Sequence, residues 1–260
     1  MAHSVMKKVV YVLGAFLLWY LLAFIVQSGT GSLAHIKLPY PHQLVELIYV
    51  QRSELAGAAW LTLIQAVIGF VVGSVVGLAF AVFLTRAIWL ESGFTPLLLA
   101  AQMVPVVALV PLAQSIFRND TVTRTFIAAF ITFFAVTVAV VRGMKMMTSE
   151  ARELVHSYDA SKWARFRYLE FPAALPMLFS GLRIAAPLSL VGSILVDFTG
   201  AQAGLGYVMV AAVTLSATGA MVAWGALIIL FAMGFLMIWA VNFAERLFAP
   251  WYAILTDSTG

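Results

Sequence analysis

Six long apolar runs, at about residues 9–26, 55–84, 94–117, 122–141, 177–197 and 220–243, decide what this chain can fold into. Each approaches or exceeds the roughly 20 residues that a helix needs to cross a bilayer core of about 30 Å. In a soluble domain several such helices would have no polar face, and a chain of 260 residues could not cover them. Composition agrees, since 63% of residues are hydrophobic and 10% charged, against about a quarter charged in soluble domains. The expectation is an all-α integral membrane protein of about six transmembrane helices. They form a single transmembrane domain over residues 1–260, with a first helix at 9–26 and a core at about 55–245. The first run follows Lys7 and Lys8 and is not followed by a small-x-small cleavage site, so it reads as an uncleaved helix.

The net charge of +4 does not point to nucleic acid, because the basic residues lie at the ends of the apolar runs and form no soluble basic face. With the N-terminus inside, Lys7, Lys8, Arg86, Arg142, Lys145, Arg152, Lys162, Arg165, Arg167 and Arg246 all fall on the cytoplasmic side. Lys37, Arg52, Arg118 and Arg124 fall outside, and both termini are cytoplasmic. The absence of cysteine excludes disulfides and thiolate metal sites. His42 and Glu46 have metal-ligand spacing on a helix face but no third ligand nearby, so no metal site and no cofactor is expected. No G-x-x-x-x-G-K-[ST] string is present to cradle ATP. Nor is there a nucleophile beside a base, or a cluster of His and carboxylates, so the chain reads as a non-enzyme.

Within the apolar runs a few residues stand out. Gly69, Gly73 and Gly77, continued by Ala81, put small residues on one helix face and predict a close helix contact. Pro105 and Pro111 interrupt the hydrogen-bond ladder of the third run. Gln102, Gln114 and Ser193 are candidate pathway residues, because polar side chains in apolar helices face the bundle interior; interhelical hydrogen bonding is their competing use. Asp197, at the outer end of the fifth run, is a candidate gate or inter-subunit hydrogen bond, or else a solvated helix end. Arg183 reads as an interfacial anchor.

The longest polar interruption, residues 148–172, reads as a cytoplasmic hairpin of two short amphipathic helices between the fourth and fifth spans. Ser149 is an N-cap, Glu150 and Glu153 occupy the first turn, and Asp159 supplies the turn. Trp163 and Phe166 are one helical turn apart, and Pro172 closes the segment because the residue before proline disfavours helix.

The string Glu153-Leu154-Val155-His156-Ser157-Tyr158-Asp159, with Leu169-Glu170-Phe171-Pro172 downstream, resembles the EAA loop of ABC importer permeases. The spacing from Glu153 to Pro172 is kept, but Leu154 and Val155 replace the two alanines and Asp159 replaces the glycine. Leu38-Pro39-Tyr40-Pro41, Pro105 with Ala108-Leu109-Val110-Pro111-Leu112, and Gly204-Leu205-Gly206-Tyr207 extend the likeness over residues 38–210. They are similar to the branch that imports nitrate, sulfonates, taurine and pyrimidine or flavin vitamin precursors. The resemblance implies a permease subunit in a bacterial inner membrane, paired with a second permease subunit. Beneath lie two cytosolic ATPases that hold ATP and magnesium, and outside lies a substrate-binding protein. It also implies that Glu153, Tyr158, Asp159, Ser161 and Trp163 contact the ATPase and couple its cycle to transport. Asp197 stands where relatives often carry Glu. The alternatives are an ion-coupled secondary transporter, for which only Asp197 approaches an intramembrane carboxylate and no internal repeat is seen, and a non-transporting scaffold subunit.

Overall fold

The structure is a computed structural model, and it describes residues 2–29, 38–86, 88–146, 161–215 and 219–249. Ten α-helices and no strand occur among the described residues. In chain order they are α1 (Ala2–Gly29), α2 (Pro41–Val50), α3 (Arg52–Leu84), α4 (Ile88–Ala101) and α5 (Val106–Phe117). There follow α6 (Asp120–Lys145), α7 (Lys162–Arg165), a π-turn over Phe166–Glu170, α8 (Phe171–Phe198), α9 (Leu205–Leu215) and α10 (Ala220–Phe248). Four continuous stretches are long and apolar enough to cross a membrane: Arg52–Leu84, Asp120–Lys145, Trp163–Phe198 and Ala220–Phe248. The pair Ser92–Ala101 and Val106–Phe117 would make a fifth if counted as one bent span. The sequence predicts six. The difference lies in the third run, which is broken, and in α1, whose qualifying apolar stretch is the shorter Leu13–Ser28.

Contacts divide the chain into two compact units. The first comprises Met1–Leu61 and Gln202–Phe231. Here Pro41 occupies the first turn of α2, where a missing N–H costs nothing, and the Gln43 side chain accepts a 3.0 Å hydrogen bond from the Tyr40 backbone N–H. This local chemistry explains the Leu-Pro-x-Pro string as a helix start. Trp19 Nε1 and Gln27 Nε2 of α1 each donate a 3.1 Å hydrogen bond, to the Pro39 and Leu38 carbonyls respectively. His42, which has metal-ligand spacing with Glu46, meets the Tyr20 hydroxyl at 3.2 Å and stacks with Tyr20 and Tyr40. Gly204 has a φ of +103°, a left-handed turn that glycine adopts without a Cβ penalty, and α9 starts at the next residue.

The second unit comprises Thr62–Ala201 and Ala232–Gly260, and α6 is its centre. On one side α3 approaches through its glycines. A Cβ at Gly69 would lie 2.5 Å from the Ala128 Cβ, one at Gly77 would lie 2.8 Å from the Phe133 carbonyl oxygen, and one at Gly73 would overlap the Ala129 carbonyl. The approach is close enough for Thr137 Oγ1 to donate a 3.1 Å hydrogen bond to the Gly77 carbonyl. The helix α8 approaches α6 in the same way, with Gly181 against Ala139 and Gly192 against Ile131 and Ala128. Lipid offers no hydrophobic drive for helices to associate, so close backbone approach and dispersion carry the packing. At one end of the unit Val110, Ala113, Ile127, Val196 and Ala201 form a buried apolar cluster joining α5, α6 and α8.

Pro172 does not end a segment as the sequence predicts. Phe171 is helical, with φ −68° and ψ −47°, and the chain passes from α7 through the π-turn into α8 without a break. The reason is the widened turn: the Phe171 N–H bonds back to the Phe166 carbonyl, five residues away, relieving the clash that a proline ring makes with the i−4 carbonyl of a regular helix.

Candidate functional site

The break between α4 and α5 lies where the sequence places Pro105. Pro105 is extended, with φ −60° and ψ 113°, and it caps the start of α5, while α4 ends at Ala101; the two helices meet at 90°. Pro111 sits inside α5. Beside the break lies a cavity of about 430 Å³, within the range of solute sites. Its wall is apolar, with Phe130, Phe134 and Leu188 among the lining side chains, and its polar groups are those of Gln102, Arg142 and Ser180. Gln102 is therefore at a cavity, and it is exposed. Gln114 is half-buried on α5 and does not line this cavity.

Ser193 and Asp197 lie elsewhere, in a buried polar network. Asp197, only 2% exposed, places Oδ1 2.5 Å from Nε of Arg124, which is equally buried. Thr62 Oγ1 donates to Asp197 Oδ2 at 3.3 Å, and Ser193 Oγ donates to the Thr62 carbonyl at 3.4 Å. Nearby in the sequence of α3, Gln65 is buried and its Nε2 donates to Thr121 Oγ1 at 3.4 Å, while its Oε1 has no hydrogen-bond partner among the described residues. Two charges out of water are tolerated where they pair and are further hydrogen-bonded, and this network ties α3, α6 and α8 together. Arg124, which the sequence places outside as a flanking charge, is thus an interior residue. Nothing in its local sequence marks it, apart from the rule that an ionisable residue within a span has a partner.

Of the residues expected to contact an ATPase, Glu153, Tyr158 and Asp159 lie outside the described residues, as does the first half of the predicted hairpin. Ser161 is exposed and caps α7, its Oγ accepting a 3.2 Å hydrogen bond from the Ala164 N–H. Trp163 is exposed, with its ring 6.2 Å from that of Phe166. The sequence did not single out three ion pairs found among the described residues. Glu170 meets Arg165 at 2.8 Å and Arg86 at 3.6 Å, and Arg183 reaches Glu245 of α10 at 2.5 Å. Arg183 is therefore an interhelical partner. Among the described residues no group of three or more His, Cys, Asp or Glu is placed to hold a metal ion.

An all-helical membrane protein, with a broken span opening on a solute-sized cavity, is the class that fold and site define. Residues 69–253 match the family of binding-protein-dependent transport system inner membrane components, and the chain belongs to that family. It is 35% identical over 118 residues to the riboflavin transport system permease protein of Chloroflexus aurantiacus, a match covering 45% of this chain and 44% of that one. To the formylaminopyrimidine transport permease protein of Halalkalibacterium halodurans it is 31% identical, over 65% of this chain and 68% of the relative. A putative aliphatic sulfonates transport permease protein of Bacillus subtilis is 26% identical, over 87% and 82%. A solved structure of the MetNI methionine ABC transporter in inward facing conformations matches with a TM-score of 0.63, covering 75% of this chain and 96% of that chain at 20% identity, a likeness of fold. The chain is a multi-pass membrane transport subunit of the ABC permease kind.

Proposed function

We propose that this chain forms the translocation pathway of an ATP-driven importer for a small polar or organic solute of the sulfonate, nitrate or vitamin-precursor type. It works with two separate cytosolic ATPases that bind ATP and magnesium, a second permease subunit, and an extracytoplasmic substrate-binding protein. The observation that carries the reading is the cavity beside the α4–α5 break, bearing Gln102, in a chain of this family. Backbone freed from its helix is tolerated at membrane depth where it lines a cavity, and it offers polar groups to a passing solute. The segment holding Glu153, Tyr158, Asp159, Ser161 and Trp163 docks on the ATPase. Closure of the ATPases then alternates the helices between outward-open and inward-open states.

The test is uptake into proteoliposomes holding the permease, its ATPase and its binding protein, with an alkanesulfonate, nitrate, formylaminopyrimidine and riboflavin as probes. ATP-dependent uptake of one of them is expected, reduced several-fold by Gln102→Leu. Uptake driven by an ion gradient without the ATPase would overturn the reading in favour of a secondary transporter.

A further inference from the structure

We infer that Glu170, Arg86 and Phe166 form the joint through which movement of the ATPase-docking segment reaches α3; the inference rests on the importer reading above. Glu170 closes the π-turn, four residues after Phe166. Its two carboxylate oxygens are divided between two cations, Oε1 with Arg165 Nε at 2.8 Å and Oε2 with Arg86 Nη1 at 3.6 Å. The Arg86 guanidinium also lies over the Phe166 ring, 4.4 Å from its centroid. Arg86 lies in the turn that follows α3, its N–H bonded back to the Phe83 carbonyl of that helix at 3.2 Å. The leg that leaves the docking segment is thus fastened to the end of α3 by one carboxylate and one aromatic ring.

The π-turn makes this geometry possible. Residues five apart on a regular α-helix do not face one another, yet Arg165 and Glu170 meet, because the widened turn brings them to one side. Beyond the joint α3 is not free to absorb motion within itself. Gly69, Gly73 and Gly77 hold it against α6, and Thr62 joins the buried Arg124 and Asp197 pair. A displacement of Glu170 is therefore passed to a block of α3, α6 and α8 that moves together. Arg86 is about two-fifths exposed, and exposed ion pairs add little to stability. Its contacts matter as a mechanical link, and Glu170 and Arg86 are positioning residues.

The chain has no cysteine, so a single thiol can report on the pathway. Ser180→Cys places one in the cavity wall. In the permease assembled with its ATPase in liposomes, its labelling by a charged maleimide is measured before and after ATP with vanadate. The same is done with Glu170→Gln or Arg86→Gln added, alongside the rate of ATP hydrolysis. The expected result is a labelling rate that changes at least fivefold with ATP and vanadate in the parent. The response is abolished in either joint variant, while the ATPase still co-purifies and still hydrolyses ATP. Arg86→Lys, which keeps the charge and loses the planar stack on Phe166, restores part of the response. An unchanged response in both Gln variants overturns the joint and leaves the importer reading intact. Loss of ATPase binding in the variants also overturns it, because the residues would then belong to the docking surface. No response in the parent, with the ATPase bound, overturns the importer reading and the joint together.

Discussion

Single residues set how closely the helices of the second unit approach, and the buried charge pair shows what a single loss would cost. Asp197→Ala leaves Arg124 buried without its partner carboxylate, which costs about 3–5 kcal/mol. The expected outcome is a lower unfolding midpoint in detergent for Asp197→Ala. The double variant Arg124→Met with Asp197→Leu recovers most of the loss, since apolar replacement of a buried pair is often neutral or stabilising. Asp197→Ala as stable as the parent would remove the pair from the account of what holds α3, α6 and α8. Glycines give a sharper contrast within one helix. Gly73→Ala drives a methyl into the Ala129 carbonyl and is expected to cost about 1–3 kcal/mol. Gly57→Ala, with nothing within 4 Å, is expected to be neutral or to gain up to about 1 kcal/mol from helix propensity, and the same melting measurement separates them.

At the scale of elements, helices announced by long apolar runs were legible and their interruptions were less so. The runs at 55–84, 122–141 and 220–243 became α3, α6 and α10 with ends shifted by a few residues, because length and apolarity are what a bilayer selects. The stripe at Gly69, Gly73 and Gly77 was visible because its glycines fall on one face at successive turns. The matching contacts of α8, at Gly181 and Gly192, were missed because eleven residues separate them and no local pattern links them. The burial of Arg124 was not legible because a charge near the end of an apolar run looks the same in sequence whether it flanks the membrane or turns inward to a partner 73 residues away. Pro172 was misread because a π-turn leaves no sequence signature, and that turn decides whether a proline breaks a helix or is absorbed. The contact at Gly192 carries a prediction of its own. Gly192→Leu meets Ile131 and the Ala128 backbone and should separate α8 from α6. The expected readout is faster proteolysis of the detergent-solubilised protein, with Gly93→Leu, at a position where an added Cβ meets nothing within 4 Å, as the matched control.

For the whole molecule, the distribution of basic residues argues an orientation, and α6 is the helix that tests it. Its 26 residues give a length of about 39 Å at 1.5 Å per residue, enough to cross a hydrocarbon core of about 30 Å. Arg118 caps the end of α5, two residues before α6 begins, and Lys145 ends α6 beside Arg142. Short cytoplasmic loops carry an excess of basic residues, which predicts that the end with Arg142 and Lys145 faces the cytoplasm and Arg118 faces outward. A cysteine-free chain allows this to be read without background. Lys145→Cys is expected to react with a membrane-impermeant maleimide in inside-out vesicles and to be protected in right-side-out ones, while Arg118→Cys shows the reverse. The opposite pattern at both positions would invert the molecule. The segment between α6 and α7 would then lie outside, where no cytosolic ATPase can reach it, and the coupling scheme would fall with the orientation.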